Sequence, residues 1–277
     1  MTLVSSVKSL LLLVDRVIVT NVTIGDATAT LLYHLIPGGM FTVDKLGTGA
    51  NHSILTTLLT GHGRTFLEGN RPAVIACGNP KGDGQIEVYN QEAPTLVTQT
   101  KVNTELNIVY HVLNRIIDFP FNYPAWIATI GNSWHSVAQS SGNSDDQIGA
   151  MLGYTFFVFD DTSYQSDLSA HLSNESSLQI FNNHVRLFVW LCGIVDWNLI
   201  KVVLGQTFWY NSFETQTWTT ASGNNLTFTL DQNTLDYTVT VGQSAALIVR
   251  SDITTDNGVI HQIQGTLWDI HPVTAIA

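Results

Sequence analysis

The chain has 277 residues, of which 44% are hydrophobic and 12% are charged, and its 22 acidic side chains outnumber the 11 basic ones. This composition excludes wholesale disorder, and a net charge of -11 with no Lys/Arg cluster excludes a phosphate-backbone partner, so we expect no nucleic-acid binding. A polar surface built mainly from Ser, Thr, Asn and Gln favours an extracellular β-rich protein, and the length favours two domains.

The N-terminal stretch resembles a signal peptide poorly. Its apolar block at residues 10–14 is short, and Asp15 and Arg16 interrupt it. Four Asn-x-Ser/Thr acceptors for N-linked glycans nevertheless favour a secretory route: Asn21, Asn51, Asn174 and Asn225. We therefore predict an extracellular or cell-surface location, with membrane association only through an anchor not seen in this chain.

The first half contains the strand patterns RPAVIAC (71–77) and GQIEVYN (84–90), which the turn-rich GNPKGDG (78–84) joins. In the second half, SLQIFNNHV (177–185) is typical of a helix. Alternating strands follow it: GNNLTFTLDQ (223–232), LDYTVTVGQ (235–243), AALIVRSDI (245–253) and NGVIHQIQGTLW (257–268). Helices followed by strands predict an α+β fold in each half.

The apolar block at residues 187–204 has the length of a membrane span, but three polar side chains lie across its middle. Asp196, Asn198 and Lys201 would each be costly in lipid, so we do not predict a span there.

Four histidines show that the chain contains a repeat of whole domains. His34 and His111 are 77 residues apart, as are His184 and His261, and the two pairs are displaced by 150 residues. A displacement of this size is a typical domain length. We predict domains at residues 1–120 and 121–277, and by comparison with the second domain the first is expected to lack part of its N-terminal region.

Three segments resemble the boxes of fasciclin-type adhesion domains: YTFFVFDDTSY (154–164), LLYHLIPGGMFTVDKL (31–46) and SDITTDNGVIHQIQGTLW (251–268). The resemblance covers nearly the whole chain as two tandem copies. It implies an α+β fold of two fasciclin-like domains, each with helices followed by a small β-sandwich or wedge. It also implies a secreted or cell-surface adhesion or matrix protein that recognises protein or carbohydrate without catalysis.

The chain departs from the family pattern at three places. Leu106-Asn107 stands where the family has Asn-Gly, and Gln264 stands where it usually has Asp. Residues 185–206 resemble an insertion, which we interpret as a translated intron, a local helix or a binding patch.

Histidine is the side chain here that invites a catalytic or metal-binding interpretation. A metal site needs at least three ligands, and each domain supplies one histidine pair with no carboxylate at a fixed spacing, so we expect no metal and no cofactor. We predict structural roles for His34, His111, His184 and His261. Asn257-Gly258 is expected to form a tight turn with positive φ that sets the register of the last strand.

Catalysis has little support in the sequence. Asp160, Asp161 and Asp167 follow a strand and precede a Ser-rich stretch, where they are typical helix caps. No Gly-x-Ser-x-Gly motif occurs, so we predict that the protein is not an enzyme. A polysaccharide-active hydrolase using Asp and His, and a small-molecule carrier, remain as alternatives.

The segment TFWYNSFETQTWTT (207–220) is the strongest binding candidate by composition. Trp209, Tyr210 and Trp218, interleaved with Asn and Thr, favour contact with an extracellular protein or a cell-wall or matrix polysaccharide. The alternative is a strand pair that buries these aromatic rings. Cys77 and Cys192 either pair as a disulfide or remain free thiols.

Overall fold

A computed structural model describes residues 9–14, 24–39, 41–47, 52–89, 95–106, 108–130, 132–142, 144–149, 154–159, 185–186, 218–220, 224–234 and 236–267. The chain divides into two compact units, Met1–Phe121 and Asn122–Ala277. In its described part each unit combines α-helix with one seven-stranded sheet.

Within its described residues the first unit has one α-helix and seven strands. In chain order these are β1 Ser9–Val14, α1 Ile24–Tyr33, β2 Leu35–Pro37, β3 Ser53–Thr56, β4 Val74–Gly78, β5 Glu87–Val88, β6 Thr95–Asn103 and β7 Ile108–Leu113. Short 3₁₀ turns lie at Val43–Lys45 and Glu68–Asn70. The strand order is β2-β1-β7-β6-β5-β4-β3, and β1 runs parallel to β7 while every other pair is antiparallel.

The core of the first unit forms where α1 packs on one face of this sheet. The strand β7 alternates half-buried and buried residues, as a strand with one core-facing side should, and Val109 and Leu113 belong to its buried set. Ala29 and Tyr33 supply the helix side of the same cluster. The Tyr33 hydroxyl also donates to the carbonyl of Val74 over 3.2 Å, so the helix is held to β4 by a polar contact as well.

The structure describes three helices and seven strands in the second unit. In chain order these are α2 Tyr123–Ile130, α3 Asn132–Ser140, α4 Asp145–Gly149, β8 Tyr154–Phe159, β9 Val185–Arg186, β10 Trp218–Thr219, β11 Asn225–Leu230, β12 Tyr237–Val241, β13 Ser244–Thr254 and β14 Gly258–Gln264. The strand order is β10-β11-β12-β13-β14-β8-β9, with β8 parallel to β14. Read from the opposite edge, this is the topology of the first unit.

All six residues of β8 are buried, which is expected of a strand that is covered on both faces. Its aromatic side chains meet the helices: Phe156 lies 5.5 Å from Tyr123 and 6.0 Å from Trp134 between ring centroids. The Trp134 Nε1–H donates to the Tyr123 hydroxyl over 2.6 Å, so the buried indole nitrogen is satisfied. The helices α2 and α3 are therefore anchored to the sheet through one aromatic cluster.

The strands predicted for both halves are present, but among the described elements the predicted order of helices followed by strands is wrong in the first unit. The strand β1 precedes α1, and β8 follows α4 but pairs in parallel with the last strand, β14. Parallel neighbours need a long crossover connection, so this pairing joins the two ends of each unit and leaves no short-range signal in the sequence.

The predicted helix at 177–185, the possible insertion at 185–206 and Asp160, Asp161 and Asp167 lie outside the described residues, apart from strand β9 at Val185–Arg186. Among the helices that the structure does describe, none is long and apolar enough to cross a membrane.

Candidate functional site

His261 lies on β14 and is completely buried. Its Nδ1 accepts a hydrogen bond from the backbone N–H of Asp252 over 3.1 Å, and its ring stacks on Phe157 of β8 with 5.2 Å between centroids. A nitrogen that accepts from an N–H carries no proton, so the imidazole is neutral with its proton on Nε2. His261 therefore joins three neighbouring strands, and no solvent-borne substrate can reach it.

Asp252 is the residue near His261 that the sequence interpretation missed. Its carboxylate Oδ1 lies 3.9 Å from His261 Nδ1, and both side chains are fully buried. Asp252 lies where the β13–β14 register shifts, and its φ of 56° is in the left-handed region. An Asp inside the strand pattern VRSDIT was a usable signal, because Asp is depleted in strands and tolerates this conformation.

His111 occupies the corresponding place on β7, the last strand of the first unit. Its Nε2–H donates to the carbonyl of Phe41 over 2.9 Å, and its Nδ1 accepts from the Thr100 hydroxyl over 2.7 Å. Burial lowers the pKa of His111 below its usual range. In each unit, therefore, the histidine Nδ1 is hydrogen-bonded to the neighbouring strand: to the Thr100 side chain on β6 for His111, and to the Asp252 backbone on β13 for His261.

His34 closes α1 of the first unit. Its Nδ1–H donates to the carbonyl of Thr30 over 2.7 Å, and its Nε2 accepts from the backbone N–H of Ile117 over 3.1 Å. Because a carbonyl can only accept and an N–H can only donate, these partners allow only the neutral ring. Burial lowers the pKa of His34, and the histidine joins the end of the helix to the segment that follows β7.

Asn257 and Gly258 form the tip of the β13–β14 hairpin, with a structural basis that differs from the prediction. Neither residue has the positive φ expected of the turn. Instead, a Cβ at position 258 would lie 2.5 Å from Cδ2 of Tyr154 and 2.7 Å from its carbonyl oxygen, so only glycine fits against β8. The Asn257 Nδ2 donates to the carbonyl of Gly149 over 2.6 Å, which holds the hairpin to α4.

The remaining polar groups of the hairpin tip differ in how well they are satisfied. The Tyr154 and Thr255 hydroxyls are hydrogen-bonded over 2.8 Å, and burial raises the pKa of Tyr154. The half-buried Asp256 has a carboxyl oxygen, Oδ1, with no hydrogen-bond partner. Burial raises the pKa of Asp256 to about 6, because water is withdrawn from the charged form and only the backbone N–H groups of Asp256 and Asn257 oppose this.

Several predicted site residues fall outside the described part of the chain. These are Trp209, Tyr210, His184, Asn21, Asn51, Asn174 and Cys192. Trp218 lies in β10, and Asn225 begins β11 with an exposed side chain. Cys77 is a free thiol on β4 within the core of the first unit, and burial raises its pKa to about 12.

No group of three His, Cys, Asp or Glu side chains within the described residues could hold a metal ion. The described histidines of the repeat are instead occupied by backbone and hydroxyl partners inside each unit. The fold and these sites together define a class of protein: α+β units in which a buried, neutral histidine on the last strand fixes the sheet.

Comparison with known proteins finds a family match within the second unit. Residues 135–269 match the family model of the Fasciclin domain. The family model matches once, and the tandem arrangement is not shown by it. The chain is also similar to the solved structure of a FAS1 domain pair from the insect cell adhesion molecule Fasciclin I. In that comparison the identity is 18%, 87% of this chain and 79% of the other are covered, and the TM-score is 0.42. No curated protein matches the chain.

Proposed function

We propose that this chain is a secreted or cell-surface adhesion or matrix protein that acts by recognising protein or carbohydrate and catalyses no reaction. The observation that carries the proposal is the Fasciclin domain at residues 135–269, a type of domain that is typically adhesion-related and non-catalytic. The four glycan acceptors are in keeping with an extracellular glycoprotein.

The first unit is, in this proposal, a second fasciclin-like domain. Two features support that assignment: its strand order is that of the second unit, and His111 lies on its last strand as His261 does on the other. In β1 and β8 the fourth residue pairs with that histidine, Leu12 with His111 and Phe157 with His261.

A non-catalytic role agrees with the chemistry of the described histidines. General acid–base catalysis needs a titratable group within reach of the substrate. His34, His111 and His261 are buried, and each has a ring nitrogen that is hydrogen-bonded to the protein backbone. A hydrolase that used His261 would require the sheet of the second unit to open.

Recognition is assigned to the segment at 207–220, where Trp209, Tyr210 and Trp218 supply aromatic groups suited to sugar rings or to the centre of a protein interface. Their partner is an extracellular protein or a cell-wall or matrix polysaccharide. Aromatic anchors of this kind usually dominate the binding energy of a contact surface.

The proposal is tested by measuring attachment of the purified chain, immobilised on beads, to cells and to insoluble matrix polysaccharides. We expect the triple variant W209A/Y210A/W218A to attach at least about tenfold more weakly, as is usual when aromatic anchors are truncated. The matched control is Phe66→Ala, which removes an aromatic ring that is 52% exposed in the first unit. Equal attachment of the wild type, the triple variant and the control would refute the assigned segment, and attachment no stronger than that of uncoated beads would refute adhesion.

A further inference from the structure

The exposed side of the second unit's sheet carries a regular and uncharged surface on β11, β12 and β13. Cross-strand register places its side chains in two rows, and we call this surface the threonine face: Thr227, Thr240 and Ala245 form one row, and Thr229, Thr238 and Leu247 form the other. Strand geometry sets the rows about 7 Å apart and neighbouring strands about 5 Å apart.

The threonine face carries no charged side chain. The three strand segments Asn225–Leu230, Tyr237–Val241 and 244–247 contain no Asp, Glu, Lys or Arg, although the whole chain has a net charge of -11. The residues that alternate with the rows, such as Leu226, Val239 and Ala246, are buried and hold the sheet to the core. Leu247 remains 37% exposed among the hydroxyl groups.

Asn225 lies at the edge of this face, two residues before Thr227 on the same strand and therefore on the same side of the sheet. Asn225 and Thr227 are both exposed, while Leu226 between them is fully buried. The Asn225 side-chain amide makes no hydrogen bond to any residue in the described part of the chain. The acceptor Asn225-Leu226-Thr227 is thus presented with both of its recognised side chains toward solvent.

We propose that Asn225 carries an N-linked glycan and that this glycan lies over the threonine face. A glycan is rich in hydroxyl groups and uncharged near its attachment point, so it matches rows of threonine hydroxyls without a buried charge to desolvate. Its apolar ring faces would cover Leu247. The inference rests on the proposed secretory location, and it removes the threonine face from the surfaces that a partner would contact.

Occupancy is tested by expressing the chain behind a cleavable secretory leader in human cells and digesting it with a glycosidase that converts a glycosylated Asn to Asp. Mass spectrometry of the peptide that contains Asn225 then reports the modification, in the secreted protein or in the endoplasmic reticulum fraction. We expect modification in the wild type and in Thr227→Ser, which keeps the acceptor, and none in Asn225→Gln or Thr227→Val. Thr227→Val preserves a β-branched side chain on β11, so it separates loss of the acceptor from loss of the strand. An unmodified Asn225 in the wild type would overturn the proposal.

Coverage of the face is tested by hydroxyl-radical labelling of Leu247. We expect at least about threefold less labelling in the glycosylated wild type than after enzymatic deglycosylation, since covering a side chain removes it from solvent. The variant Thr227→Val should label like the deglycosylated protein. Equal labelling in all three would overturn the placement of the glycan. Since neither measurement involves attachment to cells, an adhesion assay that fails with Asn225 occupied would refute the proposed function and leave this inference standing.

Discussion

Replacing Asp256 with Asn should stabilise the protein at neutral pH. The folded-state pKa of this carboxyl is about 6 against an ordinary 3.8, because the carboxyl is partly withdrawn from water and Oδ1 has no hydrogen-bond partner. That difference in pKa corresponds to a destabilisation of about 3 kcal/mol when the carboxyl is fully ionised. Asp256 is partly exposed, so screening by solvent reduces the expected gain for D256N to about 1–2 kcal/mol at pH 8.

The sign of this effect depends on pH. Between pH 3.8 and about 6 the folded state binds more protons at Asp256 than the unfolded state does, so its contribution to stability is present at low pH and is lost as the pH rises through about 6. The advantage of D256N should therefore be full at pH 8 and vanish near pH 4. Comparing the variant with the wild type at each pH cancels the titration of all other groups.

The assay is urea unfolding followed by tryptophan fluorescence at pH 8 and pH 4, analysed for the transition of the second unit. The matched control is Asp231→Asn in the β11–β12 turn, where the carboxylate accepts from the backbone N–H of Asn233 over 2.8 Å. Those backbone hydrogen bonds lower the pKa of Asp231, so its removal should not stabilise the protein at pH 8. A gain for D256N that is equal at both pH values, or a loss at pH 8, would show that the partly buried charge is not its cause.

Three further outcomes follow from the packing. Gly258→Ala should lower the free energy of unfolding by about 1–3 kcal/mol, because the new Cβ would lie 2.5 Å from the Tyr154 ring. Gly149→Ala, whose Cβ would make only an ordinary contact at 3.4 Å, should lower it less. Urea unfolding of the two variants measures the difference, and equal losses would contradict the close approach. The first unit should lose stability as the pH falls below about 6.5, because His34 and His111 have lowered pKa values and each takes up a proton first in the unfolded state. His34→Gln should reduce this slope in pH-dependent melting curves, and an unchanged slope would assign it to other groups. Cys77 should react with a thiol reagent only on unfolding, as peptide mass spectrometry with and without urea would show; rapid labelling of the native protein would contradict its burial.

The strands of both units were accessible to sequence reasoning because each combines β-branched residues with alternation and ends at a turn. LTFTL and YTVTV became β11 and β12, and the NGVIHQIQ pattern became β14. The helix α3, NSWHSVAQS, was not predicted, since its residues are mostly polar and the apolar stripe is limited to the buried Trp134, Val137 and Ala138. The histidine spacing likewise indicated equivalent positions before any fold was known, because homologous positions keep their separation along the chain.

The partners of those residues could not be predicted, because they come from segments far away in the sequence. The hydrogen bond from Ile117 to His34 spans 83 residues, and that from Asn257 to Gly149 spans 108. The sequence predicted that Gly258 is needed for a turn, because turn propensity is a local property. The residue that requires a glycine there is Tyr154 on β8, which is distant in the sequence.

By itself, the sequence determined the mixed class of fold, the strands and the corresponding positions of His111 and His261, since these depend on local periodicity and on spacing along one chain. Tertiary structure decided that β1 and β8 pair in parallel with the last strand of their units, since such pairing depends on a long crossover. It also decided which carboxyl groups are desolvated. Asp252 and Asp256 belong to one hairpin, and nothing in the sequence distinguishes their burial. One is fully buried beside His261, and the other remains partly exposed with an orphaned oxygen. Burial is a property of what surrounds a residue, and the sequence does not specify those surroundings until the chain has folded.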